Sequence, residues 1–475
     1  MVNKPKLIVT ILSGGAGSRL WPLSRENYPK PFIRLKDGQS LLQKAFLRGV
    51  ELKSAVEILT VTNRELIYLT IDHYEELKKP IKQQFILEPE GKNTAAAVAA
   101  AAIDIVNRYG DDAFMLVLPA DHIVTDQKAF SSAVNEAMLL AAKNHLVTFG
   151  IKPSCPDTGY GYIEANQNEV LRFVEKPSIE KAKTYFENGH FYWNSGMFCF
   201  KAAAVLKEME KYSLDILEAT QKTISQSRIE EGFGSPRLML NLDLFNKVPS
   251  NSIDYALLEK SNQVAVVPCS IGWSDIGSWN AFSELNEPDL KNNRVQGEVM
   301  LHNTKNSNVI ADKRLVVLIG MEDVIVVDTS DAILVTHKAH TQDVKIIYSQ
   351  LKDSSQELHK VHKEVHRPWG SYTVLEYESG FKVKKISVKP NAKLSLQSHQ
   401  HRAEHWIIVK GEATIVNDGK EFKLQENQST YIEKGHKHQL MNLTENPLEI
   451  IEVQTGSCLD EQDIIRFDDV YKRDA

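Results

Sequence analysis

Hydrophobic residues fall into two textures along this chain. In the first half, short apolar or β-branched runs at Leu7–Leu12, Val56–Thr62 and Phe114–Leu118 alternate with longer stretches, Leu41–Glu51, Glu65–Leu77 and Thr94–Arg108. In the longer stretches the apolar positions recur at helical spacing. The first kind predicts buried strands and the second predicts amphipathic helices. Strand–helix alternation predicts an α/β domain with a mixed, mostly parallel sheet covered by helices on both faces. Such sheets hold their ligands at the carboxyl ends of the strands.

Beyond about Asn292 the helical spacing disappears. Val309–Ile310, Leu315–Ile319, Val324–Val327 and Ile333–Val335 are short strand-like runs at close spacing. They predict a small β-rich module, or part of a β-helix, followed by a linking helix over Gln342–Leu351. From Arg367 onward strands and turns alternate at Thr373–Tyr377, Lys382–Val388, Trp406–Val409, Ala413–Val416 and Leu448–Val453, the pattern of a β-barrel or jelly roll. The expected boundaries are 1–285 for the α/β domain, 286–352 for the linking module and 353–475 for the barrel.

Composition narrows the class. A chain of 475 residues exceeds one ordinary core, and 42% hydrophobic with 25% charged residues is globular. A net charge of -6 offers no basic field to nucleic acid. No stretch has the length of a membrane span, and Leu7–Leu12 is too short for a signal-peptide core. Cys155, Cys199, Cys269 and Cys458 are far apart, with no CxxC pair. Free thiols in the cytoplasm are therefore expected. Eight of the fifteen histidines lie between His359 and His438, so the barrel differs in chemistry as well as in pattern.

The strand Leu7–Leu12 runs into Ser13-Gly14-Gly15-Ala16-Gly17-Ser18-Arg19-Leu20. Glycines here let backbone N–H groups approach a phosphate, and Arg19 can neutralise it. A plain strand-to-helix turn would look the same. The loop lacks the Gly-Lys-Ser/Thr of a P-loop and the last glycine of the dinucleotide fingerprint. Asp121 follows the strand Phe114–Leu118 and suits Mg²⁺, which takes one or two carboxylates plus substrate phosphates; a helix cap is the alternative. Asn93 or Thr94 could cap the Ala-rich helix, or place an anion at its N-terminus. Lys176 beside Glu175 reads on its own as a surface ion pair.

With its continuation Trp21-Pro22-Leu23-Ser24-Arg25 and Tyr28-Pro29-Lys30-Pro31-Phe32, the glycine loop resembles the signature of sugar-phosphate nucleotidyltransferases. The Trp-Pro-Leu-Ser-Arg form resembles the mannose-1-phosphate guanylyltransferase branch. Pro31 stands where that family more often has Gln. Glu88-Pro89-Glu90-Gly91-Lys92-Asn93-Thr94-Ala95, Phe173-Val174-Glu175-Lys176-Pro177, Trp193-Asn194-Ser195-Gly196 and Ser252-Ile253-Asp254-Tyr255 match further family segments in order, with Lys92 where Arg is usual. The resemblance implies a Rossmann-like nucleotidyltransferase domain. In it Gly14, Gly15, Gly17, Ser18, Asn93 and Thr94 bind the nucleotide. Arg19 and Lys30 neutralise the triphosphate, and Asp121 and Asp275 hold Mg²⁺. Lys176 meets the phosphate of the sugar 1-phosphate, beside Gly161, Glu175 and Asn194. The implied reaction transfers GMP from GTP to mannose 1-phosphate, giving GDP-mannose and pyrophosphate. It needs positioning and charge neutralisation but no base, since the attacking phosphate is already an anion.

In the barrel, residues two apart on a strand share a face, so Gln397, His399 and His401 point one way if the strand continues. Gln397, His399, Glu404 and His438 fit the spacing of the cupin double motif, with Gln397 replacing the usual first His. The set suits Zn²⁺, Mn²⁺ or Co²⁺. His401, His405 and His436 read as incidental. From His366-Arg367-Pro368-Trp369-Gly370 to Arg466-Phe467-Asp468-Asp469-Val470-Tyr471 the chain resembles the type II mannose-6-phosphate isomerase domain. This implies a C-terminal cupin β-barrel that interconverts mannose 6-phosphate and fructose 6-phosphate, with Arg466 serving the isomerase. Candidate bases are His401, Glu404 and Lys384. Asn391 for the usual Gly and Cys458-Leu459-Asp460-Glu461 in place of a Gly-rich stretch depart from the pattern. The alternative is a nucleotidyltransferase with a non-catalytic, metal- or sugar-binding cupin. A homodimer is left open.

Overall fold

The strand Leu7–Ser13 is apolar on both faces and buried, as a central strand must be. In the computed structural model, which describes residues 6–15, 17–231, 235–354 and 356–468, it sits inside an eleven-stranded sheet. Ala16 and Asp469–Tyr471, quoted above, lie outside the described residues. Ala55–Asn63 and Phe114–Pro119 flank Leu7–Ser13 in parallel, and Lys82–Glu88 extends the parallel block. Ser13 is in register with Thr62, Leu12 with Pro119, and Asn63 with Glu88. The glycine loop, the Glu88–Asn93 turn and Asp121 therefore leave the sheet at one edge.

The parallel order ends at Phe114–Pro119. The long strand Phe191–Lys201 runs antiparallel between it and Leu146–Ile151, and the hairpin Tyr162–Asn166 with Glu169–Val174 joins farther out. Asn194 and Lys176 come from this antiparallel part. The helix Asn93–Tyr109 covers the parallel block with eight consecutive alanines and valine, Ala95–Ala102, all buried. Their small side chains let the helix lie close to the sheet while it also meets the helices Ala202–Tyr212 and Leu214–Ser225.

The middle segment is a short parallel β-helix. Arg294–Gln296, Asn308–Ile310 and Val324–Asp328 stack on one side, and Val299–His302 pairs with Val316–Ile319 on another. Val309, Leu318 and Val326 fill its interior. The helix Val344–Asp353 follows.

By internal contacts the chain forms two units, Met1–Thr329 with Ile333–His359 and Ser330–Ala332 with Lys360–Ala475. The second is a pair of antiparallel sheets. One runs Glu364–Arg367, Gly370–Glu378, Phe381–Val388, Leu448–Gly456, Arg402–Lys410, Ser429–Ile432. The other contains Lys420–Leu424, Ala413–Asn417, His438–Asn442, Leu396–His399 and Ile464–Asp468. Ile386, Trp406, Ile408, Ile415, Leu440 and Ile450 meet between them. Among the described residues no helix is long and apolar enough to cross a membrane.

Candidate active sites

The glycine loop is shaped around Lys30. Gly17 has φ +61°, and a Cβ there would lie 2.5 Å from the Lys30 Cβ, so only glycine fits without displacing the lysine. Gly15 is also left-handed, at φ +92°. Ser24 Oγ donates to the Gly17 carbonyl at 2.6 Å and closes the loop from behind. Gly14, Gly15 and Arg19 are exposed, and Ser18 is half-buried.

Lys30 itself is buried and joins the two aspartates expected at the metal. Its Nζ donates to Asp121 Oδ2 at 2.8 Å and to the backbone carbonyl of Asp275. The loops of Asp121 and Asp275 are tied further by a two-residue strand pair, Trp273 with Val124 and Ser274 with Ile123. Burial works to raise the Asp121 pKa, but the Lys30 ammonium beside it holds it below the usual carboxylate value. Asp275 Oδ1 accepts from Tyr160 OH at 2.8 Å and from Gly277 N at 3.0 Å, which fixes its rotamer. His122 is desolvated down to about 4 and is therefore neutral; Trp273 Nε1 donates to its Nδ1 at 3.2 Å. Behind it the buried Arg48 donates to the His122 carbonyl at 2.8 Å.

The second cluster gathers Gly161, Glu175, Lys176 and Asn194. A Cβ on Gly161 would meet Glu175 Oε2 at 2.6 Å, so the glycine makes room for that carboxylate. Lys176, at φ +38°, places Nζ 3.1 Å from Glu175 Oε1 with its side chain largely exposed. Asn194 N donates to the Gly161 carbonyl at 2.8 Å, and its Nδ2 donates to Asp254 Oδ1 at 2.7 Å. Asp254 is held above its usual pKa by burial, with the Glu175 charge adding to the effect.

The helix beginning at Asn93 has no side-chain cap from Asn93 or Thr94. Asn93, at φ +66°, spends its Oδ1 on the adjacent Thr94 N at 2.8 Å, while Thr94 Oγ1 accepts from Ile253 N at 2.9 Å. The capping alternative therefore fails because both side chains are committed elsewhere.

In the barrel, His399, Glu404 and His438 are buried, with ligand atoms all within 4.8 Å of one another. Glu404 Oε1 is 3.1 Å from His399 Nε2, and its Oε2 is 3.7 Å from His438 Nε2. Burial opposes the charge on Glu404, but His399, His438 and Arg402 hold its pKa well below the carboxylate range. Gln397 lies opposite His438 in register. His401 does not join them. The strand Leu396–His399 stops first, because Asp463 accepts from the N–H groups of Gln400 and His401 and turns the chain outward. His401 pairs with Asp463 at 2.7 Å on the surface, which removes it as a base facing the cavity.

A solvent-open cavity lies beside this cluster, lined among others by Arg367, Lys384, Gln397, Arg402, Glu452 and Arg466. Glu452 is buried with Oε2 3.9 Å from Lys384 Nζ and accepts from Gln454 Nε2 at 2.8 Å. Arg466 lies 3.8 Å from Glu461. Sequence reasoning missed Arg48, Arg402, Glu452 and Gln454. The last two carried a signal: in Leu448–Gly456 the residues at 448, 450, 452 and 454 share one face, so Glu452 and Gln454 had to point inward with Leu448 and Ile450.

Comparison with known proteins agrees with this division. The nucleotidyl transferase family matches residues 8–292, the mannosephosphate isomerase/GMP-like beta-helix domain 297–351, and the mannose-6-phosphate isomerase C-terminal family 354–469. A mannose-1-phosphate guanylyltransferase of Klebsiella pneumoniae is 43% identical, over 98% of this chain and 100% of that protein. A xanthan biosynthesis protein of Xanthomonas campestris is 44% identical over 98% of both chains. Among solved structures, a mannose-1-phosphate geranyltransferase from Thermus thermophilus matches with TM-score 0.64 and 29% identity, over 73% of this chain and 99% of that one. A mannose-6-phosphate isomerase from Helicobacter pylori matches with TM-score 0.50 and 33% identity, over 56% and 99%.

Proposed function

The chain belongs to the mannose-1-phosphate guanylyltransferase family, with a nucleotidyl transferase domain, a β-helix module and a mannose-6-phosphate isomerase C-terminal domain, and from that premise we propose how its residues divide the work. It is a GDP-mannose-forming enzyme that transfers GMP from GTP to mannose 1-phosphate. The observation that carries our residue assignment is Lys30 lying buried under the glycine loop against both the Asp121 and Asp275 loops. Nucleotidyl transferase and cupin-type domains generally use divalent metals. Asp121 and Asp275 would hold Mg²⁺, which when bound supplies charge neutralisation across the triphosphate.

The backbone N–H groups of Gly14, Gly15, Gly17 and Ser18 cradle the phosphates, with Asn93 and Thr94 at a helix N-terminus beside them. Arg19 and Lys30 offset the charge that develops on the pyrophosphate leaving group. Lys176 holds the phosphate of mannose 1-phosphate, and Glu175, Gly161 and Asn194 orient the sugar. The sugar phosphate oxygen then attacks the α-phosphorus, the bond to pyrophosphate breaks, and no proton needs to be removed. Turnover with each NTP crossed against each hexose 1-phosphate tests this. GTP with mannose 1-phosphate should stand out, and a preference for another pair would overturn the specificity.

The second activity is isomerisation of mannose 6-phosphate and fructose 6-phosphate in the barrel. Two imidazoles, a carboxylate and the amide of Gln397 suit Zn²⁺, Mn²⁺ or Co²⁺, and the buried His438 Nε2 has no hydrogen-bond partner among the described residues. A metal there supplies Lewis-acid polarisation of the sugar oxygens. Arg466 and Arg367, on the cavity wall, receive the phosphate. Lys384 and Glu452, adjacent on that wall, carry the proton between C1 and C2. Metal bound in stoichiometric amount with no interconversion of the two hexose phosphates would reduce the barrel to a binding module.

A further inference from the structure

The Trp-Pro-Leu-Ser-Arg element contributes no group to the chemistry above, yet it is among the most heavily tied segments of the first unit. Trp21 is buried, with the fully buried Arg25 guanidinium 5.3 Å from its ring centre. Its carbonyl accepts from Trp279 Nε1 at 3.1 Å, four residues after Asp275. Its own Nε1 donates to the Leu358 carbonyl at 3.1 Å. Next along the chain, Glu26 N donates to the His359 carbonyl at 3.1 Å. The Glu26 carboxylate lies 3.0 Å from Lys352 Nζ and 3.8 Å from His359 Nε2. The helix Val344–Asp353 packs directly on the turn Ser18–Leu20 that carries Arg19, with Tyr348 buried against the His359 ring.

We propose that the helix Val344–Asp353 and the turn Glu357–His359 are a positioning strap for the transferase site. They seat Trp21 and Glu26, and through these residues they fix the triphosphate loop relative to the Asp275 loop. The route is continuous. The strap holds Trp21; Trp21 receives Trp279 from the Asp275 loop; and Ser24, in the same turn, bonds the Gly17 carbonyl. Residues far beyond the last transferase motif thereby belong to the transferase. A loop whose glycines leave it free to move gains order from outside, which lowers the entropy lost when nucleotide binds. This inference rests on the assignment of Gly14–Arg19 to the nucleotide.

The test uses the full-length chain. Trp21→Phe keeps an aromatic ring but removes the N–H donor to Leu358 together with the pyrrole portion of the buried indole. Lys352→Met keeps the helix and removes the ion pair to Glu26. Ile346→Ala, an exposed position on the same helix, is the control. We expect the KM for GTP to rise about three- to tenfold in Trp21→Phe, the size of one lost partly buried hydrogen bond, and about two- to threefold in Lys352→Met, whose ion pair is solvent-screened. The KM for mannose 1-phosphate and the control should stay near parental values, as should the melting temperature of Lys352→Met. Trp21→Phe also truncates a buried ring, so its melting temperature falls and its readout is the split between the two KM values. GTP affinity, measured by titration calorimetry with Mg²⁺, should weaken in parallel. Parental KM and affinity for GTP in both variants would overturn the strap. So would equal loss toward both substrates together with a lower melting temperature, because that is a merely structural role. A wild-type protein that neither binds nor turns over GTP would overturn the transferase assignment and the strap with it.

Discussion

The two sites of this chain bury charge in opposite ways. In the first unit the carboxylates sit at a sheet edge, the Asp121 side chain is 30% exposed, and the cations expected to meet phosphate, Arg19 and Lys176, reach into solvent. In the barrel, His399, Glu404 and His438 are each about 1% exposed, with ligand atoms all within 4.8 Å of one another. The difference follows from the ligands each would take. Mg²⁺ keeps most of its shell from water and substrate oxygens, so the protein need supply only two carboxylates and leave the rest open. A transition metal held by imidazoles takes most of its shell from the protein, so its donors must converge before it binds. An open site is organised by what arrives, and a closed one by the fold.

Removal of protein ligands should therefore affect the barrel most. With His399→Ala and His438→Ala together, two of four donors are gone. Bound metal should fall from about one per chain to almost none, with hexose 6-phosphate isomerisation lost. Transferase turnover should stay within about twofold of wild type, since the proposed transferase site is built from other residues. Metal analysis and both assays on one preparation decide this. Transferase activity falling in step, with the fold retained, would show that the two sites are coupled.

The open site should fail less completely. Asp121→Ala or Asp275→Ala should cost about a hundredfold in GTP-dependent transfer at saturating Mg²⁺, because substrate phosphates still supply part of the shell. Near-normal turnover in either variant would remove that residue from the metal site. On the proposed assignment, Lys176 acts at the far end of the same site as a point charge. Lys176→Ala should raise the KM for mannose 1-phosphate about tenfold and that for GTP less than about twofold. Equal shifts for both substrates would place the lysine on the nucleotide instead.

Legibility followed the same divide. The strands of the parallel block, the Ala-rich helix and the carboxyl-edge loops could be read because each is one local run with its own period: Leu7–Ser13, Asn93–Tyr109 and Phe114–Pro119. The antiparallel insertion of Phe191–Lys201 could not, since strand order is settled by long-range pairing that leaves no local mark. The convergence of His399, Glu404 and His438 was legible from spacing, whereas His401 was misdirected by assuming the strand ran two residues farther than Asp463 allows. Glu452 and Lys384 went unread as a pair because they meet across two strands, although each sits in phase with the apolar residues of its own. Arg48 carries no pattern at all; its role comes only from the His122 carbonyl that the fold sets beside it.

A charge cluster with every member paired should be structural, and Glu57 provides the smallest and cleanest test of that contrast. It lies near the amino end of Ala55–Asn63, the opposite end from the site, and is fully buried. Arg108 sits 2.7 Å from Oε1, Lys82 2.8 Å from Oε2, and Tyr109 OH donates to Oε2 at 2.7 Å. Burial alone would raise its pKa, but these three partners together hold it below the ordinary 4.5. A depressed folded-state pKa means stabilisation that is fully present above the unfolded value and disappears as pH falls through the folded one. Glu57→Gln should therefore cost about 1–3 kcal/mol at pH 7, toward the low end because Lys82 is half exposed and solvent-screened. The gap to wild type should narrow once pH falls below the ordinary carboxylate value and through the lowered native one, where the native carboxylate also takes up a proton. The quantity to follow is the unfolding transition that GTP with Mg²⁺ raises, since that transition reports the first unit. The KM values should not move, because nothing in this network faces substrate. A stability gap that stays constant from pH 7 to pH 3 would mean that Glu57 acts through packing rather than charge. A shifted KM for GTP would mean that the two ends of the sheet are not independent.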